Sequence, residues 1–147
     1  MSAAYEPTNI FARILRGELP AHTIHEDEHT LAFMDVMPVA EGHCLVIPKR
    51  ASRNLLDCDP GELGPLMATV QKVARAAKTA FRADGVMVQQ FNEAASGQTV
   101  FHLHVHVVPR HAGMPIGSHG SRMADPETLA SHAAMLKAAL EQGQKPR

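Results

Sequence analysis

The feature that most constrains this chain is the run His102-Leu103-His104-Val105-His106-Val107-Val108, in which imidazole and aliphatic side chains alternate one for one. A period of two belongs to a β-strand, where successive side chains point to opposite faces. The spacing predicts a strand over residues 100–108, ended by Pro109. Leu103, Val105 and Val107 would then anchor the strand in a core. His102, His104 and His106 would share the other face, about 7 Å apart at their roots from the strand rise. One histidine in a strand is ordinarily a satisfied surface or core residue. Three in register on one face point to a chemical task.

That geometry leaves two tasks open. Histidine is the commonest side-chain metal ligand, and a His-x-His pair on a strand suits zinc. Neutral imidazole is also a nucleophile and a proton carrier for chemistry at phosphorus, because its ordinary pKa of about 6.5 keeps it unprotonated at neutral pH. The loop just before the run, Asn92-Glu93-Ala94-Ala95-Ser96-Gly97-Gln98-Thr99, favours phosphorus. Its small residues let backbone N–H groups approach an anion, and its amides and hydroxyls are further donors. A metal would want a carboxylate or thiolate to complete its shell, and the sequence offers none beside the run. Neither a metal nor any other cofactor is expected.

At 147 residues the chain suits one domain, and 45% hydrophobic with 20% charged residues is an ordinary globular composition. The formal net charge of −1 and the lack of a basic stripe exclude a nucleic-acid partner from expectation. The short basic runs Lys49-Arg50 and Lys145-Pro146-Arg147 read as solvated surface. The first residues lack the basic and apolar regions of a signal peptide, and no apolar run reaches about 18 residues, so no membrane partner is expected. Cys44 and Cys58 form neither a disulfide framework nor a CxxC pair. Free thiols in a reducing cytoplasm are the expectation.

Residues 1–8 read as a flexible start. Asn9 can cap a short helix over 10–16, stopped by Gly17. Strands are predicted over 23–26, 30–35 and 43–47, the last ended by Pro48. Asp59, Pro60 and Glu62 open a long helix with a capping-box-like pattern. Leu63, Leu66, Met67, Val70, Val73, Ala77 and Phe81 form its apolar stripe. After the Asp84-Gly85 turn comes a strand over 86–91, then the loop and the histidine strand. Residues 110–124 look irregular, and a last helix starts at Asp125-Pro126 with Leu129, Ala133, Leu136 and Leu140 on one side. The order predicts an α+β domain, a mainly antiparallel five-stranded sheet with packed helices.

These segments together resemble the histidine triad (HIT) family, whose signature is His-φ-His-φ-His-φ-φ with φ apolar; residues 102–108 meet it without departure. NIFARILRGELPA is similar to the family's opening helix, LAFMDVMP to its nucleotide-contacting strand and GHCLVIPKR to the strand after it. NLLDCDPGEL resembles the approach to its long helix, and GQTVFHLHVHVVPR its phosphate loop and triad. The resemblance runs from Asn9 to about Gly113, making 9–113 the domain core and 114–147 a variable loop and C-terminal helix of the same domain.

The resemblance implies a HIT-like fold, a homodimer whose sheets join, and attack on the α-phosphorus of a nucleotide conjugate, with a purine nucleotide as the small-molecule partner. It implies His104 as the nucleophile that forms a transient nucleotidyl-histidine. His106 would hold phosphoryl oxygens and assist the leaving group, and His102 with His43 would orient the array. Asn92, Gly97, Gln98 and Thr99 match phosphate-loop positions, and Asp35 matches the carboxylate that accepts from the ribose hydroxyls. Ile10, Phe11, Ile14, Phe33 and Val36 match the apolar cleft for the base. Asp35 and the short chain favour the nucleoside phosphoramidase-like branch. The alternatives are a dinucleoside polyphosphate hydrolase, or a metal- or nucleotide-binding protein without significant catalysis. Many bacterial-type members carry a CxxC near the start and a histidine after the IPK strand, which hold a structural zinc with a triad histidine. This chain has Ala12 and Ala51 at two of those places and no CxxC, so no such zinc site is expected.

Overall fold

The computed structural model describes residues 4–116 and 122–144. Expectations for residues 1–3, 117–121 and 145–147, including the Lys145-Pro146-Arg147 run, lie outside the described residues. Helix α1 (Ile10–Leu15) is capped by the Asn9 side chain, which accepts from Ala12 N. Gly17 ends it at φ +77°, a conformation that costs glycine little. Strands β1 (Thr23–Glu26), β2 (Thr30–Met34) and β3 (Cys44–Pro48) follow, then helix α2 (Pro60–Ala80), strands β4 (Gly85–Gln89) and β5 (Val105–Arg110), and helix α3 (Pro126–Gln144). Single 3-10 turns stand at Leu55–Asp57 and Ala94–Ser96. The five strands form one antiparallel sheet in the order β1-β2-β3-β5-β4. The predicted fold class and element order are those observed.

Alternation along β2 and β3 divides their apolar side chains between two cores. Ala32, Met34, Cys44 and Val46 pack on α2 and α3 together with Leu103, Val105 and Val107. Leu31, Phe33, Leu45 and Ile47 pack on the opposite face beneath Phe11 of α1. Asp59 caps α2 by accepting from Gly61 N, and Thr69 on that helix meets Thr30 of β2 hydroxyl to hydroxyl at 2.9 Å. The α3 stripe of Leu129, Ala133, Leu136 and Leu140 is buried as predicted, but Met67 of α2 stands 49% exposed. Its position falls outside the arc that α3 and the sheet cover, and buried Thr69 and Ala76 serve that arc instead.

The histidine strand needs a correction. β5 begins at Val105, not at residue 100, and runs through Pro109 to Arg110. Its ladder with β3 pairs Val46 with Val105, Leu45 with His106 and Cys44 with Val107. Further along β3 stands Pro48, which has no N–H to offer a ladder. Its carbonyl accepts instead from the His102 ring, and Leu103 N donates to Ser52 O. Segment 101–104 is therefore held by individual bonds, to the last residue of β3 and to Ser52 beyond it. The alternation survives: Leu103, Val105 and Val107 still share the helix-side core.

Candidate active site

His104 and His106 lie with ring centroids 5.0 Å apart, and Phe11 packs edge-on against His104 at 4.9 Å. Both rings line two cavities. One, of about 210 Å³, is walled by Ile10, Phe11, Ile14, Phe33, Asp35 and Val36, with Thr99 at its edge. The other, of about 180 Å³, is walled by Val39, His43, Phe91, Gly97, Thr99 and Ile116 among others. Every residue matched to the base cleft therefore meets at the first cavity, and His104 and His106 stand between the two. No Lys or Arg is among the described residues lining either one.

Hydrogen-bond geometry fixes where the protons sit. A backbone N–H only donates, so the bond from Val39 N to His43 Nδ1 makes that nitrogen an acceptor. The His43 proton is then on Nε2, which faces His106 Nδ1 at 2.9 Å and the Asp35 carboxylate at 3.3 Å. His106 accepts at Nδ1 and, when neutral, carries its proton on Nε2. For His104 the order is reversed, because Nδ1 donates to the His102 carbonyl at 2.7 Å. The Nε2 of neutral His104 carries the lone pair. The two adjacent neutral imidazoles thus differ in tautomer, with the basic nitrogen at Nε2 in His104 and at Nδ1 in His106.

Local sequence explains how His43 reaches this array. Gly42 has φ +82°, and a Cβ there would stand 2.6 Å from Phe81 Cε2, so only glycine lets the chain pass that ring. Asp35, at 5% exposure, accepts from Met37 N with its other oxygen. No carboxylate was expected beside the histidines, and that premise is corrected here: Asp35, His43 and His106 offer ligand atoms within 4.8 Å of one another. The trio nevertheless fits a metal poorly, because Val39 N–H keeps the His43 proton on the nitrogen that faces the cluster.

His102 stands apart from the cavities. It is 0% exposed; Nε2 donates to Pro48 O at 2.8 Å, and the Tyr5 hydroxyl donates to Nδ1 at 2.7 Å. Both nitrogens are engaged, so His102 has no lone pair for a structural zinc, and the residues present do not fit one. Burial pulls its pKa down to about 4, so the ring is neutral at physiological pH. His102 and His43, the two residues matched to an orienting role, bond to different rings. The His102 carbonyl serves His104, and His43 serves His106.

The loop before the triad requires another correction. Gln98, matched to a phosphate position, is 3% exposed and turned inward. Its oxygen accepts from Glu93 N and Asn54 Nδ2, and its nitrogen donates to the Arg53 and Val100 carbonyls. Every hydrogen-bonding atom of its amide is thereby used within the protein. The Asn92 amide is likewise bonded to Gln90 and to Leu55 N. Of the four loop residues, only Gly97 and Thr99 reach the cavities.

Two residues that the sequence did not single out, Arg53 and Asn54, hold this loop. Arg53 lies over the Phe101 ring at 4.1 Å and grips Glu93 through two bonds of 2.9 Å, and Asn54 joins the same carboxylate. That pairing keeps the Glu93 pKa below the ordinary carboxylate value. Glu93 sits at φ 74°, ψ 159°, a backbone region that favours glycine and costs other residues about 1–3 kcal/mol. Nothing in a glutamate signals a positive φ. The Asn54…Asp57 spacing of a capping box was a usable signal for the turn on which Asn54 lies.

The HIT domain family matches residues 16–113. An uncharacterized HIT-like protein of Mycobacterium tuberculosis is 41% identical over 104 residues, covering 71% of this chain and 72% of its own length. Among solved structures, a Hit-like protein involved in cell-cycle regulation from Bartonella henselae superimposes with a TM-score of 0.88 at 50% identity, over 92% of this chain and 99% of that one. A hypothetical histidine triad nucleotide-binding protein from Sulfolobus tokodaii gives 0.84 at 30% identity, over 90% and 92%. Signature, sheet order and these likenesses agree, and the chain belongs to the HIT family.

Proposed function

We propose that this protein hydrolyses nucleoside monophosphate conjugates, phosphoramidates or their relatives, at the α-phosphorus through a nucleotidyl-His104 intermediate. The observation that carries the reading is the 2.7 Å bond from His104 Nδ1 to the His102 carbonyl, which keeps the proton on Nδ1 and makes Nε2 the basic nitrogen of the neutral ring. The purine lies in the apolar cavity against Ile10, Phe11, Ile14, Phe33 and Val36, and Asp35 accepts from the ribose hydroxyls. His104 Nε2 forms the N–P bond as the bond from phosphorus to the leaving group breaks, and His106 Nε2–H protonates the departing atom. Water then attacks phosphorus and gives a proton to His106. The P–N bond breaks and both imidazoles return to their starting state. Thr99 and Gly97 flank the phosphoryl group between the cavities.

His104→Ala should lower turnover of adenosine 5′-phosphoramidate by roughly a thousandfold or more, with AMP still raising the melting temperature. Turnover at the wild-type rate in that variant overturns the assignment. We also propose a homodimer joined along β4, an edge strand whose Val88 is 44% exposed. Sedimentation velocity at micromolar concentration reads this directly, and a monomer there contradicts it.

A further inference from the structure

The His102 carbonyl that holds His104 lies in segment 101–104, outside the ladder, so no regular strand pairing fixes its position. Three bonds hold the segment instead: Leu103 N to Ser52 O, His102 Nε2 to Pro48 O, and the Tyr5 hydroxyl to His102 Nδ1. Two run to the end of β3 and the chain just beyond it, at Pro48 and Ser52. The third comes from 97 residues away in sequence, from a stretch that the sequence alone reads as flexible.

Tyr5 itself is held near the array. Its ring meets the His102 ring edge-on at 5.7 Å, and the chain after it is tied by Asn9 N to Glu6 O and by Arg16 to Pro7 O. The tyrosine is partly buried and lines neither cavity. Its hydroxyl satisfies a nitrogen in a fully buried ring, where an acceptor without a donor carries its full desolvation cost. Without that donor the ring's only polar anchor is Pro48, and turning or recruiting a proton becomes the way to satisfy Nδ1.

We propose that Tyr5 is a positioning residue for the nucleophile: its hydroxyl locks the His102 ring, and the His102 carbonyl in turn holds the His104 proton on Nδ1. The claim rests on the proposed role of His104, but its first readout does not.

The test is Tyr5→Phe, which keeps the ring and removes only the hydroxyl. Long-range ¹H–¹⁵N correlation of the imidazoles should give His104 as the pure Nδ1–H tautomer in the wild-type protein and as a mixture in the variant. With adenosine 5′-phosphoramidate, kcat should fall roughly three- to tenfold, the scale of a small misplacement of a reacting group. KM and AMP inhibition should stay within about twofold, since Tyr5 touches neither cavity. An unchanged tautomer overturns the proposal, as does a fall in kcat matched by a loss of AMP binding. Inactive wild-type protein would sink the proposed reaction and leave the tautomer readout valid. Should Tyr5→Phe not fold, a protected hydroxyl proton coupled to His102 Nδ1 in the wild type decides the question; its absence refutes the contact.

Discussion

The two faces of the sheet are made by the same strands and have opposite fates. One is sealed by α2 and α3, of 21 and 19 residues, and takes Ala32, Met34, Cys44, Val46, Leu103, Val105 and Val107 into a dry core. The other lies under α1, of six residues. At 1.5 Å per residue, that is about 9 Å of cover against about 31 Å. The short helix protects Phe33, Leu45 and Ile47 but leaves two cavities where the histidines emerge. A histidine on the sealed face would have to be paired and silent. The same residue type on the open face is available to a ligand. Within that face His102 behaves as if it were on the sealed one, because its two nitrogens are satisfied and its exposure is 0%.

The sealed face should show the largest response to truncation. Leu136 is 0% exposed, and Leu136→Ala should cost about 3 kcal/mol through lost burial and a residual cavity. Chemical denaturation measures the loss, and AMP affinity of the folded fraction should not change. A loss under 1 kcal/mol would mean that α3 is not an obligatory cover.

The pH dependence of stability should come next. Burial disfavours the His102 imidazolium, so the unfolded chain takes up a proton near 6.5 while the folded chain resists until about 4. Stability from this group is complete above 6.5 and declines as the pH falls toward 4, by about 3 kcal/mol in all. Denaturation midpoints measured between pH 7 and 4.5 should fall accordingly, and His102→Gln should flatten the slope. An unaltered slope in that variant assigns the effect to another group.

The smallest stability change belongs to the open face. Ile10 is 48% exposed yet lines the larger cavity. Ile10→Ala should change stability by less than about 1 kcal/mol and weaken AMP binding roughly fivefold by calorimetry. Equal binding by the two proteins would place the base elsewhere.

Much of this was legible because it follows from short-range rules. Asn9 and Asp59 announced two helices, Leu129 to Leu140 announced the third, and the alternation from Leu103 to Val107 announced which side is core. The family resemblance added the apolar cleft, whose five residues do converge on one cavity. Less legible was any feature depending on a partner distant in sequence. The ladder stops at Val105 because Pro48, more than fifty positions earlier, has no N–H to pair. Gln98 turns inward because Asn54 and the Arg53 carbonyl wait for it there. Asp35 comes within 4.8 Å of His106 because β3 and the chain before it bring His43 between them.

The sequence by itself determined that three imidazoles share one side and three aliphatic residues the other, because side-chain alternation is a property of the extended backbone. Tertiary structure alone decided which imidazoles line the cavities and which one does not. His104 and His106 meet open space under a short helix, and His102 meets Tyr5 and Pro48. A hydrogen bond assigns a proton to one ring nitrogen or the other, and for His106 and His102 the partners His43 and Tyr5 come from 63 and 97 residues away. No local pattern carries that information.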